Sequence, residues 1–182
     1  MTEVEDHYIL DLIGRPESRN YGFDLLVRKY QERIYWLVRR MVITHEDADD
    51  VVQNIFIQVW QHIGSFRGDS RLFTWIYRIA VNEALRWQNK TRLKQLVSFS
   101  TMERKLEETL TADPFFSGTE LELKLQKAIL RLPFRQRLIF QMKYYDAMKY
   151  EQISEILGIT VGALKASYHH AVKKIKQALL NY

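Results

Sequence analysis

Trp75, Arg78, Asn82 and Arg86 stand three or four residues apart, the spacing that sets side chains in a row along about three turns of a helix. A flat ring, two guanidinium groups and an amide in one row suit single-stranded nucleic acid. Bases offer a π-face to the ring, phosphates offer charge to arginine, and an amide can read a base edge. Just upstream, Phe66 lies in the run Ser65 to Ser70, SFRGDS, a tight loop that could fold over a base swung out of its stack. Read as residues alone, the same pattern also fits a half-buried amphipathic helix whose arginines reach into water, with Phe66 tucked into a core.

The elements that must hold this row are helical. Leu72, Phe73, Ile76, Ile79, Ala80 and Leu85 recur at threes and fours, which predicts one buried face behind the row. Asp24 to Met41 carries Leu25, Leu26, Tyr30, Ile34, Leu37 and Met41 on one side and charges on the other. Thr44 reads as an N-cap with Asp47 three residues on, opening a helix to about Ile63 whose inner face is Ala48, Val51, Val52, Ile55, Phe56 and Val59. Further helices are expected near Leu121 to Arg131 and Arg135 to Tyr145. No sustained alternation of period two occurs, and 7 Gly and 3 Pro give little sheet punctuation, so the class is all-α.

Two more constellations carry chemistry. The outer face of the Thr44 helix shows Asp47, Asp50, Gln53 and Asn54 without a Lys or Arg. Acids in a first turn can simply complement the helix dipole, yet Asp50 and Gln53 lie deeper. A metal-dependent nuclease would want more carboxylates or histidines at matching spacing, and none completes such a site. An acidic, amide-rich face suits a basic protein partner better than phosphate. At the C-terminal end, Tyr150 to Leu157, Gly158-Ile159-Thr160 and Val161 to Leu180 give a short helix, a turn with Gly and a longer helix, the helix-turn-helix arrangement. Thr160 can cap the second helix, which turns Lys165, Ala166, Ser167, His169 and His170 outward, with Lys173, Lys174 and Lys176 nearby. Base reading there would lean on the histidines and on contact with thymine methyls.

Charge is distributed in blocks. The 182 residues carry a formal net charge of +5. Ile63 to Lys94 holds seven Lys and Arg against Asp69 and Glu83, a net +5, whereas Gln95 to Glu120 holds two against five acids, a net −3. Lys149 to Tyr182 is basic again, with five lysines against Glu151 and Glu155. Two basic bodies around an acidic connector fit a protein that grips a polyanion twice. There is no cysteine, which excludes a disulfide framework and fits a reducing cytoplasm. The acidic start, MTEVEDHYILDLIG, has neither a signal-peptide pattern nor a membrane span, so a cytoplasmic protein without membrane insertion is expected.

The run Asp47-x-x-Asp50-x-x-Gln53-x-x-Phe56-x-x-x-Trp60, then SFRGDSRLFTWIYRIAVN, then LPFRQR and YEQISEILGITVGALKASYHHAVKKIKQAL, resembles the extracytoplasmic-function (ECF) sigma factors of bacterial RNA polymerase, over nearly the whole chain from about Asp24 to Leu180. The resemblance implies two small helical domains, sigma region 2 over 1–97 and sigma region 4 with its helix-turn-helix over 119–182, joined by a flexible linker over 98–118. It implies that Asp47, Asp50, Gln53 and Phe56 dock on the clamp helices of the polymerase's largest subunit, and that the flap of the second largest is a further partner. It implies that Phe66, Arg67 and the loop to Ser70 enclose a flipped base of the minus-ten element, with Asn82 lining that pocket. It implies that Trp75 and Arg78 lie near the upstream edge of the melted region and that Arg86 is a further contact to the minus-ten DNA. Thr160, Lys165, Ala166, Ser167, His169, His170 and Lys173 match the face that enters the major groove of the minus-thirty-five element. Family members often carry arginines at several of these last positions, so fewer bidentate contacts to guanine are expected here. No cofactor, metal or catalytic residue is implied, the polymerase supplies the chemistry, and an anti-sigma factor is a further partner the family allows. Two rivals follow from the residues themselves. One is a helix-turn-helix repressor that binds duplex alone, and the other a divalent-metal nuclease around Asp47.

Overall fold

The computed structural model describes residues 4–42, 44–94 and 119–180. Packing divides the chain into two units, Met1–Lys90 and Thr91–Tyr182. Among the described residues there are eight α-helices, a single 3-10 turn and no strand, which is the all-α class expected from the spacing. The expected linker over 98–118 lies outside the described residues.

The first unit begins with a helix that the sequence pattern did not announce, α1 (Asp6–Gly14). Nothing on the Glu5 side chain caps it, so its support is tertiary. Ile9 and Ile13 are buried, the Tyr30 hydroxyl donates to Asp6 at 2.5 Å, and Lys29 reaches the same carboxylate at 2.8 Å. The next helix, α2 (Arg19–Arg39), starts five residues before Asp24. Gly22 explains the fit. A Cβ there would lie 2.8 Å from the Leu12 Cβ and 2.9 Å from the Ile13 backbone nitrogen, so only glycine lets the two helices approach this closely.

Helix α3 (His45–His62) is capped as its sequence predicts: the Thr44 hydroxyl oxygen accepts the Asp47 N–H at 3.1 Å. Ala48, Val51, Ile55, Phe56 and Val59 are buried, while Val52 is half-buried. A 3-10 turn over Ile63–Ser65 and a loop with Gly68 at φ +77° lead into α4 (Leu72–Lys94). The buried face of α4 is rotated from the expected one. Leu72, Ile76 and Ala80 are buried as predicted, joined by Tyr77, Val81 and Ala84, whereas Phe73, Ile79 and Leu85 are half-buried. Residues 72, 76, 80 and 84 form a four-residue row, and the core lies on the Tyr77 side of it. Phe73 packs instead against Tyr77 at 5.0 Å, beneath the Arg33 guanidinium at 4.2 Å.

In the second unit α5 (Glu120–Leu130) opens on a capping box between Thr119 and Glu122. After Pro133 come α6 (Phe134–Tyr144), α7 (Tyr150–Leu157) and α8 (Val161–Leu180), within a residue or so of the predicted helices. Ala128, Ile129, Leu132, Phe140, Ala171 and Ile175 form one core cluster. Gly158 ends α7 in the left-handed region at φ +65°, its N–H bonded to the Ser154 carbonyl at 2.9 Å, which is the turn a helix-turn-helix requires.

Candidate nucleic-acid and polymerase interfaces

On α4, Arg78, Asn82 and Arg86 are exposed in one row, and Trp75 at its head is half-buried. The loop brings Phe66 to that head: its ring lies 5.5 Å from the Trp75 ring, tilted by 53°. The Phe66 N–H bonds the Ile63 carbonyl at 3.1 Å and the Ser65 hydroxyl donates to the His62 carbonyl at 2.7 Å, so the loop's entry is fixed by one backbone and one side-chain hydrogen bond. Phe66 is half-buried, so it neither vanishes into the core nor stands fully free. Arg67 is exposed and Ser70 half-buried. The structure thus joins Phe66 to Trp75, and it sets Asn82 two turns further along the helix.

Arg86 differs from the expected open cation. Its guanidinium donates to Glu83 at 2.6 Å, and the same carboxylate oxygen accepts from the Gln58 amide of α3 at 2.5 Å. The i,i+3 spacing of Glu83 and Arg86 was the signal for this pair. It partly neutralises the lower end of the row.

The α3 face separates into residues that can meet a partner and residues that support them. Asp50, Gln53 and Asn54 are exposed. Asp47 is half-buried and its carboxylate accepts the Thr44 hydroxyl at 2.7 Å, closing the cap. Phe56 is only 8% exposed. It therefore faces the core and holds the helix from beneath instead of offering a ring to a partner. Sequence reasoning missed Ile57, which is 46% exposed. It follows Asp50 by seven and Gln53 by four, so an apolar contact sits within the polar stripe.

In the second unit Lys165, Ala166, His169, His170 and Lys173 are exposed on α8, and Ser167 is half-buried. Residues 165, 169 and 173 repeat every four and share one side of the helix with 166 and 170. The Thr160 hydroxyl oxygen accepts the Ala163 N–H at 3.4 Å, so Thr160 is engaged as the cap. The two histidine rings lie 6.1 Å apart, at 67° to each other. Behind this face is an aromatic stack. Phe140 lies parallel to Tyr144 at 5.2 Å and to Tyr168 at 5.8 Å, and Tyr150 meets Tyr168 edge-on at 6.4 Å. Lys143 and Lys165 lie 5.0 and 5.7 Å from the Tyr150 ring. Burial, then Tyr150 and Tyr144, push the Tyr168 hydroxyl above the usual tyrosine range, so it stays neutral at physiological pH.

Among the described residues no group of His, Cys, Asp or Glu could hold a metal ion, and no helix is long and apolar enough to cross a membrane.

Residues 26–93 match the family Sigma-70 region 2, and residues 122–175 match Sigma-70, region 4. The RNA polymerase sigma-H factor of Pseudomonas aeruginosa is 29% identical over 98% of this chain and 96% of its own length. The ECF RNA polymerase sigma-E factor of Haemophilus influenzae is 30% identical over 97% of this chain and 96% of its own. Among solved structures, CnrH in complex with the cytosolic domain of CnrY aligns over 97% of both chains with a TM-score of 0.66 at 20% identity. The sigma factor RpoE of Bartonella quintana, solved with the anti-sigma factor NepR, covers 86% of this chain and 96% of its own with a TM-score of 0.62 at 20% identity. At such identity the two structures speak to the fold.

Proposed function

From the premise that this chain belongs to the ECF group of the sigma-70 family, and so acts as an alternative sigma factor in transcription initiation, we propose that its two units read a promoter in two physical states. The first unit takes the minus-ten element as unpaired strand, and the second takes the minus-thirty-five element as duplex. The observation that carries this reading is the Phe66–Trp75 pair at the head of the exposed row Arg78, Asn82 and Arg86. The guanidinium groups and the amide could serve strand or duplex, but rings among them favour an unstacked strand, whose bases offer a π-face that an intact duplex keeps stacked.

Extruding a base costs a few kcal/mol, and each base stacked on an aromatic ring returns about 1–3 kcal/mol. The loop from Phe66 to Ser70 encloses the extruded base with Asn82, Arg67 meets the backbone, and Trp75 and Arg78 hold the upstream edge of the opening. Asp50 and Gln53, buttressed by Asp47 and Phe56, dock on the clamp helices of the polymerase's largest subunit. The second unit meets the flap of the second-largest subunit while α8 enters the major groove, with Lys165, His169, His170 and Lys173 on the groove side and Ala166 and Ser167 between them. The polymerase supplies the catalysis. The acidic connector over 98–118 mimics nucleic-acid charge along the path of the nascent RNA. Since relatives of this fold were solved with CnrY and with the anti-sigma factor NepR, an anti-sigma factor is included among the partners. Cytoplasmic action follows from this role.

The test is run-off transcription from a promoter pool by core RNA polymerase of the source bacterium, with and without the protein. New start sites sharing two upstream elements at fixed separation are expected. Tight duplex binding by the protein alone, with no polymerase-dependent starts, would establish the repressor reading instead.

A further inference from the structure

Among the side chains on the exposed face of α8, two are imidazoles, the group whose charge ordinarily changes between pH 5 and 8. His169 and His170 are both exposed, and their rings lie 6.1 Å apart, turned by 67° to each other. Among the described residues, that ring contact is the one interaction either side chain makes. No hydrogen bond fixes the tautomer of either ring, so the ring nitrogens are left for a ligand. Lys165, Lys173 and Lys174 lie about one turn away on α8 itself. Lys165 shares the Tyr150 ring with Lys143 of α6, and Lys174 donates to Gln136 of α6 at 3.1 Å. The exposed charged groups on the elements packed against α8 are Glu120, Glu122 and Arg131 from α5, Arg135 from α6, and Glu151 and Glu155 from α7 with Lys149 as its cap. None of them pairs with either ring.

A groove lined by phosphate favours the charged form of an imidazole within it. Binding of duplex then takes up protons, and by linkage affinity rises as pH falls. Protonation also changes what a ring can read. A neutral imidazole has one donor and one acceptor, whereas the charged ring has two donors. In the major groove guanine shows two acceptors, and adenine shows one acceptor and one donor. The ring separation of 6.1 Å is less than two base-pair rises of about 3.4 Å, which suits bases on adjacent pairs. We propose that His169 and His170 make the reading of the minus-thirty-five duplex proton-coupled. Charged, the pair selects guanine at two neighbouring positions; neutral, it gives up that preference and part of the affinity. The inference rests on the proposed reading of the second unit.

Polymerase carrying the full-length protein would select duplexes from a randomised pool at about pH 5.5 and at about pH 8, near the two ends of the ordinary imidazole range. Wild type should enrich guanine at two adjacent positions at the lower pH and lose that enrichment at the higher. His169→Gln should remove one of the two, and His170→Gln the other. Affinity for the selected duplex is taken relative to the double glutamine variant, so that any pH response of polymerase itself divides out. On that scale wild type should gain about tenfold or more from the higher to the lower pH. His169→Arg with His170→Arg holds both charges fixed and should select guanine at either pH. Both positions are exposed, so the variants should unfold thermally like wild type. If wild type matches the double glutamine variant at both pH values while Lys165→Gln still weakens duplex binding, the inference is overturned and the minus-thirty-five reading stands. If Lys165→Gln also binds duplex like wild type, both fall. A gain in affinity toward low pH with no change in base preference would assign the protons to phosphate contacts and overturn the reading of guanine.

Discussion

Every cation from Phe66 to Arg86 in the first unit is an arginine, and every cation on α8 in the second is a lysine. The arginines come with half-buried rings, Phe66 and Trp75, whereas the lysines come with Ala166, Ser167 and two imidazoles. Arginine stacks on flat surfaces and bonds in pairs, while lysine is a hydrated point charge. An unpaired strand displays π-faces and base edges, and a duplex displays a fixed lattice of phosphates with a groove between. The two units thus differ in side-chain chemistry in the way that the proposed division between melted and paired DNA requires. The Tyr150 ring beside Lys165 in the second unit belongs to the stack behind the helix, and it orients the cation without offering a platform for bases.

The comparison can be broken most forcefully through polymerase. Asp50→Arg with Gln53→Ala reverses the α3 face, and like charges set against a basic partner cost several kcal/mol. Competition for core polymerase should fall by about a hundredfold or more, with duplex binding through α8 unchanged. Loss of duplex binding as well would show that the units do not act separately. Exchanging the cations sharpens the contrast. Arg78→Lys should reduce affinity for pre-opened promoter several-fold, since lysine keeps the charge and loses the stacking plane, whereas Lys165→Arg should be tolerated on duplex. Equal effects of the two swaps would remove the chemical distinction. Lys165→Gln with Lys173→Gln should lower the salt slope of duplex binding by about 0.9 for each phosphate that is no longer neutralised, and leave the slope for single strand as it was. The smallest effect belongs to Glu83→Gln. Releasing Arg86 from its 2.6 Å ion pair should raise single-strand affinity about twofold, while unfolding free energy falls by about 0.2–0.5 kcal/mol, the scale of such a helical pair.

Much of this was legible in the residues. The Thr44–Asp47 cap, the α7-turn-α8 arrangement and the helices of the second unit follow from spacing and caps, because those signals are local. What escaped was set by tertiary contact. α1 lacks a capping side chain and is held by Lys29, Tyr30 and the notch at Gly22, none of which shows in its own sequence. The buried face of α4 turned toward Tyr77 and Val81, since a heptad-like pattern leaves about one residue of freedom in where its centre lies. Of the candidate site, the exposed row on α4 and the exposed face of α8 lie on the sides of their helices that the spacing put them on. Phe56, read from the family motif as a docking residue, belongs to the core. Ile57, on the polar face, and the tie of Glu83 to Gln58 needed the packing of α3 against α4 to be seen.

The most direct test sets the two units against each other. Polymerase carrying wild-type, Phe66→Ala or Lys165→Gln protein would be titrated in parallel on a fully paired promoter and on one already opened at the minus-ten element. Phe66→Ala should weaken the strand-dependent part of binding by about tenfold or more, with little change in the initial duplex complex. Lys165→Gln should do the reverse. If both variants lose affinity equally on both templates, the division of labour between melted strand and duplex is contradicted.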